Sequence, residues 1–574
     1  MQEDLTTCAG AAGPGSELGR PCLLIDGVWR RFASALNLSN LLLICVLTIV
    51  GVVVTRGIKK GEFNYNVDET QHAVTGLYAA DLLRDHPLRH PIQYTYRYYA
   101  HYPALSGVLH WPPLFYIFEG LCFLVLGPQT EAARISVLLF AFLGLAFWFR
   151  LVKYLTNEWV AALTTLLLGL RPCILLFEKT VMLEIPSLAL CIAATYFWFR
   201  FLLEEDQRAF AWFTGFESAA LMTKQNSIYL LLFCVLSVVL LRKYRLFANR
   251  YAACVTALAL LAVSPFYIAM YLIHWPTVAM DLAGQHVPIY RSLFFYPKVL
   301  PDQLGWTLLV LSALGMFTAH YWNKRSGTTA LMLSWIVSCY FTFTLIGHKE
   351  PRYVLYWIPP FLYFVGGVLA NDTLWRRGRV WRTLALGLLL VMTLRSAWSF
   401  ERPYVEGYAE AARRLTATGK TGVVLYDGDL AGNFIFFMRA NDPERRFVVL
   451  RKALYVQRIK KPGGSEELIK SRAELVDLVR RYGVRFVLVS DRGTLAFQDQ
   501  RWLRDLLGTQ QFQLSATFPI TTHNEAEVVH SELLLYENLN WQPPTDKNLR
   551  IRMLTLGHDI VVPFSELFEC ERAR

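Results

Sequence analysis

A succession of apolar runs, each about as long as a bilayer is thick, leaves this chain few folds to adopt. The first covers about residues 35–55. Others fall at about 132–153, 157–173, 182–203, 208–223, 226–241, 251–273, 303–322, 327–346, 353–370 and 381–399. A membrane-crossing helix needs about 20 predominantly apolar residues, so the pattern predicts a polytopic α-helical membrane protein with about 11 transmembrane helices. Hydrophobic residues make up 54% of the chain and charged residues only 18%. Soluble domains carry about a quarter charged residues, so disordered, collagen-like and disulfide-scaffold classes are excluded.

The formal charge of +12 raises the question of nucleic acid, and its distribution answers it. Residues 1–402 hold 33 Lys/Arg against 23 Asp/Glu, a net of +10, whereas residues 403–574 hold 24 against 22. The excess therefore sits in the apolar part, where positive loops orient helices, and not on a soluble face that a nucleic acid would use. Alternation places Arg150/Lys153, Arg242/Lys243/Arg245, Lys324/Arg325 and Arg376/Arg377/Arg379/Arg382 on the cytoplasmic side, with Arg56, Lys59 and Lys60 as exceptions. This holds only if the short apolar segment 112–127, which contains Glu119, lies in the interface as an amphipathic helix.

The organisation that follows is a cytoplasmic N-terminal segment, 1–34, and a transmembrane domain, 35–400. Its long first extracytoplasmic loop, 56–131, carries interfacial helices, and a second long loop covers about 274–302. Loops of this length in a compact protein are usually functional. Residues 403–574 form an extracytoplasmic tail. TGVVLYDGD, RFVVLR and VRFVLVSD read as β-branched strands, while ELVDLVRRYG and EGYAEAARRLTATG have helical periodicity ending near glycine. The tail is thus expected to be a small α/β domain with a partly parallel sheet. The ten cysteines are scattered, none in a CxxC pair, so neither a zinc site nor a disulfide framework is expected.

Several constellations can carry chemistry. Asp68-Glu69 opens the first external loop and can supply a general base. The same pair is also an ordinary helix start, Asp68 capping and Glu69 favouring the dipole. His110-Trp111-Pro112-Pro113 follows a tyrosine-rich stretch, where an aromatic belt at the membrane interface accounts for the composition equally well. Glu184, near Pro186, enters a helix at the membrane boundary, a costly place for an acid without a use. His348-Lys349-Glu350-Pro351-Arg352-Tyr353, with Lys224 on the same side, is either a set of snorkelling cations or a grip for an anionic headgroup. Asp427-Gly428-Asp429 has a metal-binding form, but it ends a strand and suits a turn.

The order of the motifs is more informative than any one of them. VDETQHAVTGLYAADLLRDHP, HWPPLFYIFEG, EAARISVLLFAFLG, FEKTVMLEIPSLALCIAATYFWFRFL, LMTKQN and HKEPRYVLYWIPP together resemble the membrane glycosyltransferases of C-type fold that use a polyprenyl- or dolichyl-phosphate sugar. The protein O-mannosyltransferases and the aminoarabinose transferases are examples. The resemblance covers about residues 35–400. It implies Asp68 as catalytic base with Glu69 beside it, and Glu184 at the second acidic position, where Asp is more usual. It implies Lys349, Arg352 and Tyr353 as contacts to the donor phosphate; Lys224, His110 and Arg291 are further candidate substrate contacts on the same side. Members often carry Lys or His directly before the Pro-Pro; here that position is Trp111, with His110 one residue earlier.

A phosphate-linked sugar has an activated anomeric carbon and a leaving group that needs positive charge more than a proton. One base and a basic clamp suffice for a single displacement with inversion. No metal cofactor is required by this scheme. The expected partners are the lipid-phosphate sugar donor, an extracytoplasmic acceptor hydroxyl on lipid, glycan or protein, and the bilayer itself. The rival from another class is a transporter or flippase of a lipid-linked sugar, though no inverted repeat is visible. The predicted external regions contain no N-x-S/T sequon, which favours a bacterial inner membrane over a secretory compartment.

Overall fold

The structure, a computed structural model, describes residues 37–568 apart from 88, 106–109, 284–288, 324, 372–374, 376–377, 452, 458–464, 492–496, 525–526 and 554–557. The N-terminal segment 1–34, Lys324, Arg376 and Arg377 lie outside the described residues.

Among the described residues six helices are long and apolar enough to cross a membrane: Leu38–Thr55, Thr130–Leu155, Glu184–Glu204, Arg250–Ile273, Thr328–Leu345 and Arg379–Ser399. Two bent pairs raise the number to eight if each counts as one span. These are Glu158–Gly169 with Pro172–Glu178, bent by 68°, and Arg291–Leu304 with Trp306–Phe317, bent by 109°. The expected eleven are not reached by this measure. The apolar runs at 208–223, 226–241 and 353–370 become helices Gln207–Leu221, Tyr229–Leu241 and Ile358–Ala370, of 15, 13 and 13 residues. Tight 3-10 turns, Gln225–Ile228 and Pro351–Trp357, occupy the starts of the last two runs. At 1.5 Å per residue a 13-residue helix rises about 20 Å, short of a hydrocarbon core of about 30 Å.

Helix Glu184–Glu204 is the axis of the bundle, with most of its length buried. Its neighbours meet it through aromatic side chains. Trp198 donates its indole N–H to Ser237 Oγ at 2.9 Å and packs on Phe213 at 4.6 Å between ring centroids, and Phe197 meets Phe147 at 5.7 Å. Because Glu184 is the first residue of this central helix, its carboxylate is fixed by the best-packed element of the chain.

The tail packs helices on a mixed sheet that has, among the described residues, six strands of its own and one from the first loop. Strands β1 (Glu62–Phe63), β2 (Tyr404–Glu406), β3 (Gly422–Asp427), β4 (Phe447–Leu450), β5 (Val484–Ser490), β6 (Phe512–His523) and β7 (Val528–Asn538) lie in the order β1-β2-β6-β7-β5-β3-β4. The β5-β3-β4 half is parallel and the rest antiparallel. One strand was not legible beforehand: β1 comes from the first loop and pairs with β2, Phe63 opposite Tyr404. Two residues carry no periodicity, so side chains, not pattern, hold it there. Asn433 receives the Phe63 N–H at 3.0 Å and returns a bond to its carbonyl at 2.8 Å.

Helix Val67–Asp85 is clamped between helix Leu114–Leu126 and helix Ala431–Asn441. Glycine permits both approaches: a Cβ on Gly120 would stand 2.8 Å from Ala80 N, and one on Gly432 would stand 2.0 Å from Thr70 Oγ1. At its far end Asp81 forms a buried two-point ion pair with Arg439, and Asp85 pairs with Arg445 at 2.6 Å. Helix Leu114–Leu126 buries Phe115, Glu119 and Phe123 against this assembly and leaves Ile117, Leu121, Leu124 and Val125 exposed.

Candidate active site

Asn66 caps helix Val67–Asp85, its side-chain oxygen accepting the N–H groups of Asp68 at 2.9 Å and Glu69 at 3.2 Å. Asp68 is therefore relieved of the capping role and turns to other partners. Glu69 is fully buried, and its carboxylate accepts three backbone N–H groups: Asn64 at 3.1 Å, Tyr65 at 2.9 Å and Val181 at 3.0 Å. It fastens the loop before the helix to the turn that leads into Glu184. The two adjacent acids thus have different surroundings, one open to charged neighbours and one saturated by backbone.

Around Asp68 the fold assembles a chain of alternating charge. Arg352 Nη2 lies 3.1 Å from Asp68 Oδ2, its Nε lies 3.5 Å from Glu184 Oε1, and it also pairs with Glu350. Lys224 Nζ donates to Glu184 Oε1 at 2.5 Å, with both side chains almost fully buried. Arg352 arrives on the 3-10 turn Pro351–Trp357, and Lys224 on the break between helices Gln207–Leu221 and Tyr229–Leu241. Each is delivered by an interruption of helix, where a side chain can reach sideways into the bundle mouth.

The charges set each other's protonation. Burial alone pushes the Asp68 carboxyl up, but nearby positive charge outweighs this and its pKa falls below the ordinary value. His72, one turn along the same helix face, is itself driven down to about 4 by burial. At neutral pH it is uncharged, so Arg352, with Lys224 adding to it, holds the Asp68 carboxyl down. Burial works against the Arg352 charge as well, yet Glu184, Glu350 and Asp68 hold it above its usual range. Lys224 is lowered by burial, with Glu184 opposing.

The remaining expected residues divide. Tyr353 is partly buried, its ring centroid 5.9 Å from the Arg352 guanidinium carbon. His110 packs its ring against Trp111 at 5.0 Å, and its carbonyl accepts from Gln225 at 3.0 Å. Trp111 faces both His72 and Lys224, each 5.9 Å from its ring. Arg291 stands at an exposed position on helix Ile289–Leu304. Lys349, expected as a phosphate contact, turns away. Its Nζ donates to Phe343 O at 2.8 Å, Thr344 O at 2.6 Å and Ile346 O at 2.5 Å, using all three hydrogens on carbonyls at the end of helix Thr328–Leu345. Burial lowers its pKa to about 8.

His72 joins the cluster without having been singled out, and Glu350, named only within the His348–Tyr353 run, joins it by pairing with Arg352. The signal for His72 was its spacing of four from Asp68, which puts both on one helix face. In the tail, Asp427 accepts from Gln500 at 2.8 Å and pairs with Arg504 at 3.0 Å, so the D-x-D acid ties the end of strand β3 to helix Gln498–Leu507. Among the described residues no group of three His, Cys, Asp or Glu is placed to share a metal ion.

The model of the dolichyl-phosphate-mannose-protein mannosyltransferase family matches residues 110–268, a stretch that holds Trp111, Glu184 and Lys224 but neither Asp68 nor Arg352. The whole chain is similar in structure to ArnT from Cupriavidus metallidurans. The form bound to undecaprenyl phosphate superposes with a TM-score of 0.57 at 13% identity, over 86% of this chain and 97% of that one. The apo form gives 0.55 at 14%, over the same shares. The arabinofuranosyltransferase AftD from Mycobacteria gives 0.50 at 12%, over 88% of this chain and 40% of that one. Among curated proteins no sequence matches it. The chain is an integral membrane protein with the C-type glycosyltransferase fold, and its residues 110–268 carry the mannosyltransferase-like sequence.

Proposed function

We propose that the protein is an inverting glycosyltransferase that moves a sugar from a polyprenyl-phosphate-linked donor to an acceptor hydroxyl on lipid, glycan or protein. The observation that carries the reading is the 3.1 Å contact between Asp68 and Arg352, set beside the buried Glu184–Lys224 pair. The undecaprenyl phosphate named for the ArnT structure supports the donor class.

Asp68 takes the proton of the acceptor hydroxyl as its oxygen attacks the anomeric carbon. The carbon–oxygen bond to phosphate breaks on the opposite face, and the phosphate leaves with the electron pair. Arg352 receives that growing charge, worth most where water is excluded. In the resting arrangement Arg352 is shared by three carboxylates. An arriving phosphate competes with Asp68 for the guanidinium, so donor binding frees the carboxylate and raises its basicity at the moment it is needed. Glu184 holds Lys224 and Arg352 in register, and Glu69 orients the Asp68 turn. Tyr353, His110 and Arg291 serve as further donor contacts. The active face and the tail, 403–574, are extracytoplasmic, on a transmembrane domain of residues 35–400, in a bacterial inner membrane with the N-terminus cytoplasmic.

The test is consumption of lipid-phosphate sugar by purified protein in detergent. Asp68→Asn is expected to fold and to lose transfer; retention of wild-type consumption would overturn the assignment. Product formed in detergent also separates transfer from transport, which needs two compartments.

A further inference from the structure

Away from Asp68, a cavity of about 180 Å³ opens where helix Leu38–Thr55 and helix Arg379–Ser399 end side by side. Its lining includes Arg56, Lys60, Arg134, Lys179 and Arg402, against only two acids, Glu178 and Glu401. Arg134, Lys179 and Arg402 are all buried. Buried cations are ordinarily paired with anions. Here their donors go chiefly to neutral carbonyls. Arg134 binds Ile58 O at 2.6 Å and Gly61 O at 3.0 Å, Arg402 binds Lys60 O, and Lys179 reaches Arg56 O at 3.5 Å. Of the two acids, Glu401 meets Lys60 at 3.4 Å and is well exposed, while Glu178 is buried with one carboxylate oxygen lacking any partner. Burial first, and then the charges of Arg402 and Arg56, drive Lys179 down to about 8. Among the lining side chains five cations face two acids, and the buried carboxylate of Glu69 acts on Arg134 and Arg402 from outside the lining.

The surroundings narrow the anion. Helix Leu38–Thr55 exposes Leu41, Ile44 and Val52, and helix Arg379–Ser399 exposes Leu384, Leu388 and Val391. Both are candidate membrane spans. At their ends Arg56 donates to the Trp398 carbonyl and lies 4.5 Å over its ring, tying the two helices together. An anion seated among these cations would have apolar chain surface directly below it. Basic pockets between membrane helices bind phosphate headgroups by this combination.

We propose that this cavity holds the phosphate of an anionic membrane lipid, at a site separate from the Asp68–Arg352 cluster. Glu69 stands between the two, next to Asp68 in the chain and bonded to Val181 two residues beyond Lys179. A lipid phosphate here would bind on the other side of the turn that orients the active acid. Arg56 and Lys60 close the cavity from the helix end, and Arg402, Arg134 and Lys179 form its floor.

The test uses full-length, delipidated protein in detergent and short-chain lipids as probes. Dioctanoyl phosphatidic acid is expected to bind at least tenfold more tightly than dioctanoyl phosphatidylcholine or inorganic phosphate. Arg56→Gln and Lys60→Gln lie at the rim and should weaken that binding about tenfold each, the usual effect of one charge-assisted hydrogen bond. Arg402→Gln, checked for folding by gel filtration, should do the same from the floor. Arg352→Ala should leave the binding unchanged, so the site stands or falls apart from the catalytic reading. Equal binding of phosphatidylcholine, equal binding of free phosphate, or indifference to all three cavity variants would overturn the proposal.

Discussion

Arg352 binds Asp68 through Nη2, 3.1 Å from Oδ2, while the same guanidinium is held by Glu350 and lies 3.5 Å from Glu184. The carboxylate proposed as base is therefore kept ionised by the residue proposed to receive the leaving phosphate. Removing Arg352 should have two separable effects. Arg352→Ala should lower turnover by about 10²–10³-fold, as loss of one charge-stabilising donor does. It should also move the acidic limb of the pH profile of kcat/KM upward. In the native protein positive charge holds Asp68 below its ordinary pKa, against burial; without Arg352 burial is less opposed. A variant that lost activity with an unmoved acidic limb would show that Arg352 does not tune Asp68.

The Glu184–Lys224 pair makes a different prediction, because both side chains are buried. Lys224→Met leaves the buried Glu184 carboxylate with only its 3.5 Å contact to Arg352, a loss of up to about 3–5 kcal/mol. Replacing both, as Glu184→Leu with Lys224→Met, removes the stranded charge and should recover most of that stability while abolishing activity. Thermal unfolding of the four proteins in one detergent measures the cycle. If the double variant were as unstable as the single one, the pair would be coupled to more than each other.

Lys349 was expected at the donor phosphate, and its three bonds to Phe343, Thr344 and Ile346 carbonyls put it at a helix end instead. Its replacement by Met should then lower Tm, since three carbonyls lose their donor. The KM for the lipid-phosphate sugar should change less than twofold. A large rise in KM with unchanged Tm would restore Lys349 to the binding site.

What could be seen in the residues beforehand follows from what each signal measures. Long apolar runs report burial in lipid or core, so the helices were visible, but not where they break. The 3-10 turns that carry Lys224 and Arg352 inward lie within or at the edge of apolar runs and have no separate pattern. Asp68 and Glu184 were legible because acids at membrane boundaries are costly. The difference between Asp68 and Glu69 was not, since it depends on which of two adjacent carboxylates meets backbone N–H groups from 112 residues away. The sheet's parallel half was visible as β-branched runs alternating with helices. Its edge strand β1 was not, because two residues have no period to read.

That edge strand supplies the last prediction. Glu62 is buried and accepts the N–H groups of Gly407 at 3.3 Å, Tyr408 at 3.2 Å and Ala409 at 2.8 Å, capping helix Tyr408–Thr416 from the first loop. Burial raises its pKa from 4.5 to about 7, with those three bonds opposing. Below pH 4.5 the carboxyl is protonated in both folded and unfolded chains and contributes no pH dependence. Between 4.5 and about 7 the folded chain holds the proton more tightly, so stability falls as pH rises. Above 7 the loss is complete, at about 3 kcal/mol. Glu62→Gln keeps an acceptor for the helix end and has nothing to titrate. The Tm of the variant relative to the native protein should therefore climb across pH 4.5 to 7 and then level off. A difference that stayed constant over that range would show that Glu62 is solvated as an ordinary surface acid, and that the first loop is joined to the tail by its other contacts, Phe63 with Asn433 and Asp81 with Arg439 among them.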